Sequence, residues 1–366
     1  MRYSLALLIA APAVLLAGCS LIESEGGELR QVWSSGVPGE ARIVGSAGAD
    51  GDRFYAVRGR SLYAFDAATG ETAWSARVSN ECAPPVVAGG RVFCPTDQLH
   101  AFDAETGRVL WTATPDSTLL FVKGAADASR VYAGSLSAVY AYDAATGALV
   151  WKRSLQADDW TGTGNRSVVV DGGTLLAATE GLYGENGFFS VSAVVALDAA
   201  TGRDLWRFQD GDGTENQKIG GLTVTPDIVL FSDPEGGEQV VAVDRATQSV
   251  RWRVKRRPGF LGTLQAPDVA DGTAYIADGD QRLRAIDVAT GRVVWDVEPD
   301  RGSYRNHEVC GPYLVGDNTA LTVVGRATGD LVDVLFEGAE ENVRQLAERD
   351  GRLFVATDRA VYAFDC

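Results

Sequence analysis

Seven aspartates recur at matching places in a repeated phrase: Asp66, Asp103, Asp143, Asp198, Asp244, Asp287 and Asp365. Carboxylates can act as general acids and bases, or gather around a hard cation. Their setting argues for another role. The phrase has the form A-x-D-x-x-T-G-x-x-x-W, as in "LYAFDAATGETAW" from Leu62 to Trp74 and "LHAFDAETGRVLW" from Leu99 to Trp111. An aspartate placed just before a tight turn accepts backbone N–H bonds from that turn. The series therefore reads as turn-makers, not as a catalytic set. Other catalytic candidates are few. There are two histidines, His100 and His307, and His100 falls inside a copy of the phrase, so no multi-histidine metal site can form. The acidic run "DGDGTE", Asp210 to Glu215, hints at a calcium loop but lacks the glycine and the distal glutamate such a loop needs. No G-x-S-x-G elbow and no P-loop is present. No metal and no catalytic residue is assigned.

The elements that carry the aspartates are legible from the same phrase. Its first half alternates, with Leu62, Ala64 and Asp66 on one face and Tyr63 and Phe65 on the other, which is a strand period. A turn ending in glycine follows, then a short strand ending in tryptophan. Two more short apolar runs precede each copy, such as "PPVVAG" and "RVFCPT". Four short antiparallel strands per repeat make a propeller blade. With Gly325 standing for the aspartate of one worn copy, the repeats number eight and lie 37 to 55 residues apart, a period that marks a propeller or solenoid. The expected fold is all-β, an eight-bladed β-propeller over residues 29–366. Trp33 ends a strand with no blade before it, whereas the C-terminal unit stops before its fourth strand. Joining the two ends completes the eighth blade and closes the ring, which removes unpaired edges. The tryptophans Trp33, Trp74, Trp111, Trp151, Trp206, Trp252 and Trp295 supply flat apolar surface for packing between blades.

Three groups of residues stand outside this scheme. Counting back from each motif aspartate to the start of the innermost strand gives Asn80, Asn165, Gln217, Gln265 and Asn342. A ring of amides at one mouth of the central channel would suit peptide backbone or sugar hydroxyls; alternatively, the amides satisfy the free edges of the inner strands. The fourth unit carries the insertion "EGLYGENGFF", read as a loop, and the preceding "DDWTG" holds the one tryptophan out of register. Trp160, Tyr183, Phe188 and Phe189 are thus candidate aromatic anchors for a protein partner, or they fold back onto their own blade. A basic cluster, Arg251, Arg253, Lys255, Arg256 and Arg257, lies on an outer strand and the loop after it, where charge protects a sheet edge.

The first 18 residues read as a lipoprotein signal peptide: Arg2, an apolar core too short to span a bilayer, then "LAGC" ending at Cys19. Cys19 is the expected lipidation site and residues 19–28 the tether. In a Gram-negative envelope Ser20, by resemblance to known lipoproteins, implies the periplasmic face of the outer membrane; otherwise the anchor is expected in the outer leaflet of the plasma membrane. Export permits disulfides. Of the three pairings open to Cys82, Cys94, Cys310 and Cys366, strand placement favours Cys82–Cys94 and Cys310–Cys366, the alternative being four buried thiols. With 33 basic and 49 acidic residues the chain carries a net charge of −16, which argues against nucleic acid and against adhesion to anionic lipid.

The repeat resembles the pyrroloquinoline-quinone (PQQ) enzyme repeat, and its size, eight units and lipoprotein start are similar to the BamB-like propeller lipoproteins of outer-membrane β-barrel assembly. The resemblance implies a non-enzymatic scaffold whose partners are envelope proteins, possible members of the assembly machinery among them. A ligand-binding or sensor propeller for sugar or peptide is the alternative. The longer PQQ-dependent dehydrogenases of the superfamily carry an adjacent cysteine pair over the cofactor and a calcium ion held by Glu, Asn and Asp. This chain has no adjacent cysteines, so no cofactor is expected.

Overall fold

Short alternating strands separated by glycine turns bury their apolar faces only by pairing with one another and stacking as sheets. The computed structural model describes residues 29–36, 43–50, 52–80, 82–116, 124–135, 138–155, 161–183, 189–209, 219–232, 238–255, 265–278, 282–299, 304, 306–317, 320–337 and 342–366. Within these, 32 strands form eight antiparallel sheets of four. Seven sheets take their strands in sequence order from the inside outwards. The second blade is typical, with Val86–Ala88, Arg91–Pro95, Leu99–Asp103 and Val109–Ala113. The inner strands of successive blades abut around a central channel, and that of the eighth meets that of the first. The eighth blade is composite. Val343–Arg349, Arg352–Thr357 and Ala360–Asp365 are completed by the N-terminal strand Arg30–Gly36, paired from Arg30↔Asp365 to Gly36↔Ala360. Eight blades and the closing strand are thus as the repeat implies.

The motif aspartates lie on one face of the disc, called here the base; the other face is the mouth. At the base, six of them tie down their turns in one way. Asp66, Asp103, Asp143, Asp198, Asp244 and Asp287 each accept the N–H of the turn threonine at 2.8–2.9 Å through Oδ1. The threonine hydroxyl donates to the same oxygen. These bonds from threonine hold the six carboxyls below the usual range, that of Asp244 at about 2, where Arg251 adds a further bond. A carboxylate spent on its own turn is not available for chemistry. Where Gly325 replaces the aspartate the turn persists without a carboxylate, with Gly329 N–H donating to Gly325 O at 2.7 Å and Asp330 N–H donating to Thr328 Oγ1 at 3.2 Å.

The tryptophan of one blade locks onto the turn of the next. Trp74 donates its indole N–H to Ala104 O at 3.0 Å, and Trp33, Trp111, Trp151, Trp252 and Trp295 do the same to Ala67, Ala144, Ala199, Val288 and Arg326. Each of these rings lies against the turn glycine. A Cβ on Gly107, at φ +70°, would stand 2.5 Å from the Trp74 ring. A fully buried alanine faces each ring from the third strand, as Ala64 faces Trp74 and Ala101 faces Trp111, so no larger side chain crowds it. The core follows from this contact. It is divided into eight apolar layers, each between two adjacent blades. The layer at the closure holds Trp33, Phe54, Phe65 and Phe354, with Phe54 and Phe354 stacked at 4.7 Å.

Two joints depart from the rule. Between blades four and five the glycine is replaced by Gln248, held at φ 58°, and Trp206 makes no matching indole bond among the described residues. Between blades seven and eight both halves of the clasp are missing. Asp333 stands opposite Val323 where a tryptophan would be, and the eighth third strand ends at the C-terminus without a turn. There a disulfide joins Cys310, at the end of the seventh inner strand, to Cys366, with Cα atoms 5.2 Å apart. Phe336 fills the adjoining layer, edge-on to Tyr362 at 4.8 Å. The second disulfide, Cys82–Cys94, lies within blade two; strand placement would set Cys82 on the inner strand, but it precedes that strand, which begins at Val86.

Gly107→Ala should lower stability by about 1–3 kcal/mol, because it sets a side chain in a left-handed turn and also against Trp74. Gly172→Ala, at φ +53° with nothing within 4 Å of its Cβ position, should cost clearly less. Denaturant midpoints of the two variants check this; equal losses would mean that the ring contact contributes nothing.

Candidate functional site

The mouth is where the inner strands begin and where the turns between second and third strands lie. Amides cluster there, but aspartates hold them. In blade eight, Asn342 donates its backbone N–H to Asp358 Oδ1 at 3.2 Å and its Nδ2 to Oδ2 at 3.0 Å. In blade seven, Asn306 makes the same pair of bonds to the fully buried Asp317, both at 2.6 Å. Gln265 of blade six reaches Asn306 Oδ1 at 3.2 Å, and Asn306 Nδ2 also meets Arg344 O at 3.4 Å. One hydrogen-bonded seam thus runs across blades six, seven and eight. Asn80 bonds to Asp97, whose carboxyl is held below the usual range first by Ser79 and then by Thr96 and Asn80. Of the five expected amides, Gln265 joins the seam, whereas Asn342 and Asn80 are tied within their own blades. Asn165 lies in the long inner strand of blade four opposite Thr179, and Gln217 lies outside the described residues. The partners Asn306, Asp97, Asp317 and Asp358 were not read from the sequence. The available signal was a polar pair closing the second strand, "TD" at Thr96–Asp97 and again at Thr357–Asp358.

The histidines are structural by their contacts. His100 is buried on Phe102, with Ser79 Oγ 3.2 Å from Nε2 and Thr112 Oγ1 3.2 Å from Nδ1. Burial lowers its pKa and favours the neutral ring. Ser79 is also 2.7 Å from Asp97 Oδ1, the stronger acceptor, so its proton points away from the imidazole and no activated nucleophile results. His307 is fully buried, with Nε2 3.1 Å from Tyr275 O. Among the described residues, no group of three or more His, Cys, Asp or Glu could hold a metal ion. The superfamily's PQQ site does not fit these residues. The cysteines staple strands and do not stand side by side, and the amide and carboxylate groups at the mouth are already bonded to one another. In the basic cluster Arg251 pairs with Asp244, and Arg256 and Arg257 lie outside the described residues.

Part of the insertion in blade four is strand and not the loop expected, and its residues 184–188 lie outside the described residues. Its second and third strands, Thr174–Tyr183 and Phe189–Asp198, stay paired to their tips, where Tyr183 faces Phe189. The inner strand Thr161–Asp171 follows them as far as Thr161↔Leu182. These three strands run 10 or 11 residues, against 2 to 8 for the first three strands of the other blades, so blade four projects beyond the mouth as a three-stranded tongue. The pairing is what the turn-like composition "GLYGENG" conceals. Tyr183 and Phe189 sit at the tip; Trp160 and Phe188 lie outside the described residues.

Comparison with known proteins places these features in context. A family described as outer membrane protein assembly factor BamB matches residues 24–186 and 190–365. The chain is 31% identical over 113 residues to the serine/threonine-protein kinase AfsK of Streptomyces griseus, covering 30% of this chain and 14% of that protein. It is 32% identical over 165 residues to the outer membrane protein assembly factor BamB of Kangiella koreensis, covering 44% and 38%. A quinoprotein alcohol dehydrogenase, PedE of Pseudomonas putida, is 32% identical over 147 residues, covering 40% and 19%. The matched stretches therefore span well under half the length of these relatives. Among solved structures, BamB from Moraxella catarrhalis superposes with a TM-score of 0.71 at 16% identity, covering 92% of this chain and 98% of that one, a likeness of fold.

Asn306→Ala should destabilise the protein by about 1–3 kcal/mol, because it strips the side-chain donor from the buried Asp317 and removes the acceptor that Gln265 Nε2 meets, while the backbone N–H bond stays. A thermal or denaturant melt reads this directly. An unchanged melt would free the seam from a structural role and make its amides available for a ligand.

Proposed function

Because the chain belongs to this PQQ-repeat family of BamB-type propellers, we propose that it is a non-enzymatic envelope lipoprotein that scaffolds protein partners, in the manner of an outer-membrane β-barrel assembly factor. The observation that carries the reading is the tongue of blade four. The other blades are spare, whereas this one extends three strands beyond the mouth and brings Tyr183 and Phe189 to its tip; Phe188 adjoins Phe189 in sequence, and Trp160 adjoins Thr161, the first residue of the inner strand. Aromatic residues on a rigid projection are suited to anchoring a protein interface. Lipidation at Cys19 would hold the disc at a membrane. No helix among the described residues is long and apolar enough to cross one. The closed ring, stapled by two disulfides, suits a part that presents surfaces without changing shape.

A redox role like that of the quinoprotein relatives finds no support in the donor groups described above. A sensor for sugar or peptide would have to work through mouth amides that are already engaged.

Replacing Trp160 and Phe188 together with alanine should sharply reduce co-purification of outer-membrane β-barrel assembly components after mild crosslinking of the lipidated protein, and should leave the melting curve nearly unchanged. Trp206→Ala should do the reverse, at a cost of about 2–3 kcal/mol, since its ring is partly buried in the layer between blades four and five. Loss of stability in the double variant comparable to that of Trp206→Ala would make those rings core residues and defeat the interface reading. Undiminished capture would do the same.

A further inference from the structure

Every large apolar side chain that is strongly exposed among the described residues lies in one kind of place. Val109, Leu149, Leu205, Val294 and Leu331, on blades two, three, four, six and seven, are 43 to 54% exposed. Each stands at the base end of an outer strand, just before the blade tryptophan or its counterpart Asp333. A bulge in the pairing there gives the outer strand an extra residue, as between Ala141 and Tyr142 opposite Trp151 and Leu149. The bulge lets the tryptophan turn inward while its neighbours face out. Edge strands ordinarily carry charge at such exposed sites. Blade five does so, with Arg251 at the corresponding position.

The chain outside the described residues begins at this same rim. The closing strand starts at Arg30, which pairs with Asp365 at the base, and ends at Gly36 beside Ala360 at the mouth. Cys19, the lipidation site of the proposed function, precedes Leu29 by a tether that spans at most about 35 Å when fully extended. With the mouth turned to the bilayer, that tether would first have to climb an outer strand of about 20 Å and then the mouth loops. With the base turned to the bilayer it has no such climb. A protein partner seated at one flank would cover two or three neighbouring blades. Exposed apolar groups at similar height on five blades around the rim instead match a flat surface.

We propose that the base of the propeller is its lipid-docking face: the apolar rim rests on the bilayer that holds the acyl chain and turns the mouth and the tongue of blade four away from it. This rests on the lipoprotein reading. The net charge of −16 makes the favoured surface zwitterionic, with the acyl anchor supplying residence and the rim supplying orientation.

The test uses the full lipidated chain in phosphatidylcholine vesicles, with an environment-sensitive fluorophore on one added cysteine. Leu205→Cys places it at the base of blade four, opposite the tether in the ring. Arg359→Cys places it at the mouth of blade eight, above the tether. Docking by the base predicts a blue shift and loss of most iodide quenching at position 205, with position 359 fully quenched; the same label on unlipidated protein should be quenched at both. Full quenching at 205 in vesicle-bound protein overturns the proposal. So does shielding at 359 with 205 open, which would mean that the disc stands on the edge of blade eight, and so does shielding at 205 that appears only when envelope proteins are added, which would make the occupant a protein. Failure of the chain to float with the vesicles, together with an intact mass lacking acyl groups, would instead refute the lipoprotein reading on which the proposal stands.

Discussion

The structure depends on one contact made repeatedly: a tryptophan ring lying flat on the turn glycine of the next blade, its indole N–H bonded to a carbonyl of that turn. It needs three things at once. The turn must be tight, which aspartate and threonine secure. The turn must have no side chain facing the ring, which restricts the position to glycine. The strand behind the ring must be small, which alanine provides. The motif is therefore a description of a joint more than of a blade, and each copy is half of two joints. Six joints share the tryptophan–glycine clasp, five of them with the aspartate in the turn and one with Gly325 in its place, and each buries its own apolar layer.

A ring of this kind is as secure as its poorest joint. Between blades four and five a glutamine occupies the glycine position, and packing of Trp206 with the apolar side chains of both sheets remains. Between blades seven and eight neither tryptophan nor turn is available, because the eighth blade receives its outer strand from the other end of the chain. The Cys310–Cys366 disulfide stands at that joint, so a covalent link replaces the missing clasp where the C-terminus would otherwise fray. Cross-linking residues 56 apart in sequence also restricts the unfolded chain, a contribution of about 2–4 kcal/mol.

Much of this was legible beforehand, for a physical reason. The period, the strand alternation and the turn glycine all act within some thirteen residues, so "LYAFDAATGETAW" carries its own geometry. The closing strand was legible because Trp33 is half of a joint that lacks its own blade. The mouth was less so. The partners of Asn306 and Asn342 lie a strand away, and the seam through Gln265, Asn306 and Arg344 crosses three blades, beyond the reach of a local pattern. The tongue of blade four was misread in part because Gly181 signals a turn, whereas its register against Val191 decides that the strand continues. The outward-facing rim was hidden in plain sight: Leu149 and Val150 look like core residues until the bulge opposite Tyr142 turns them out.

The proposed function draws on the coupling of the blades, so that coupling is the claim to examine. Hydrogen exchange measured by mass spectrometry on the oxidised protein and on its Cys310→Ser/Cys366→Ser variant, which keeps the Cys82–Cys94 bond, compares the joints directly. Protection in the variant should fall first in residues 343–365 and 331–335, on the two sides of the joint that has no tryptophan clasp, while residues 99–113 and 138–154 keep theirs. Loss that begins at a clasped joint, or that spreads evenly around all eight blades, would contradict the account.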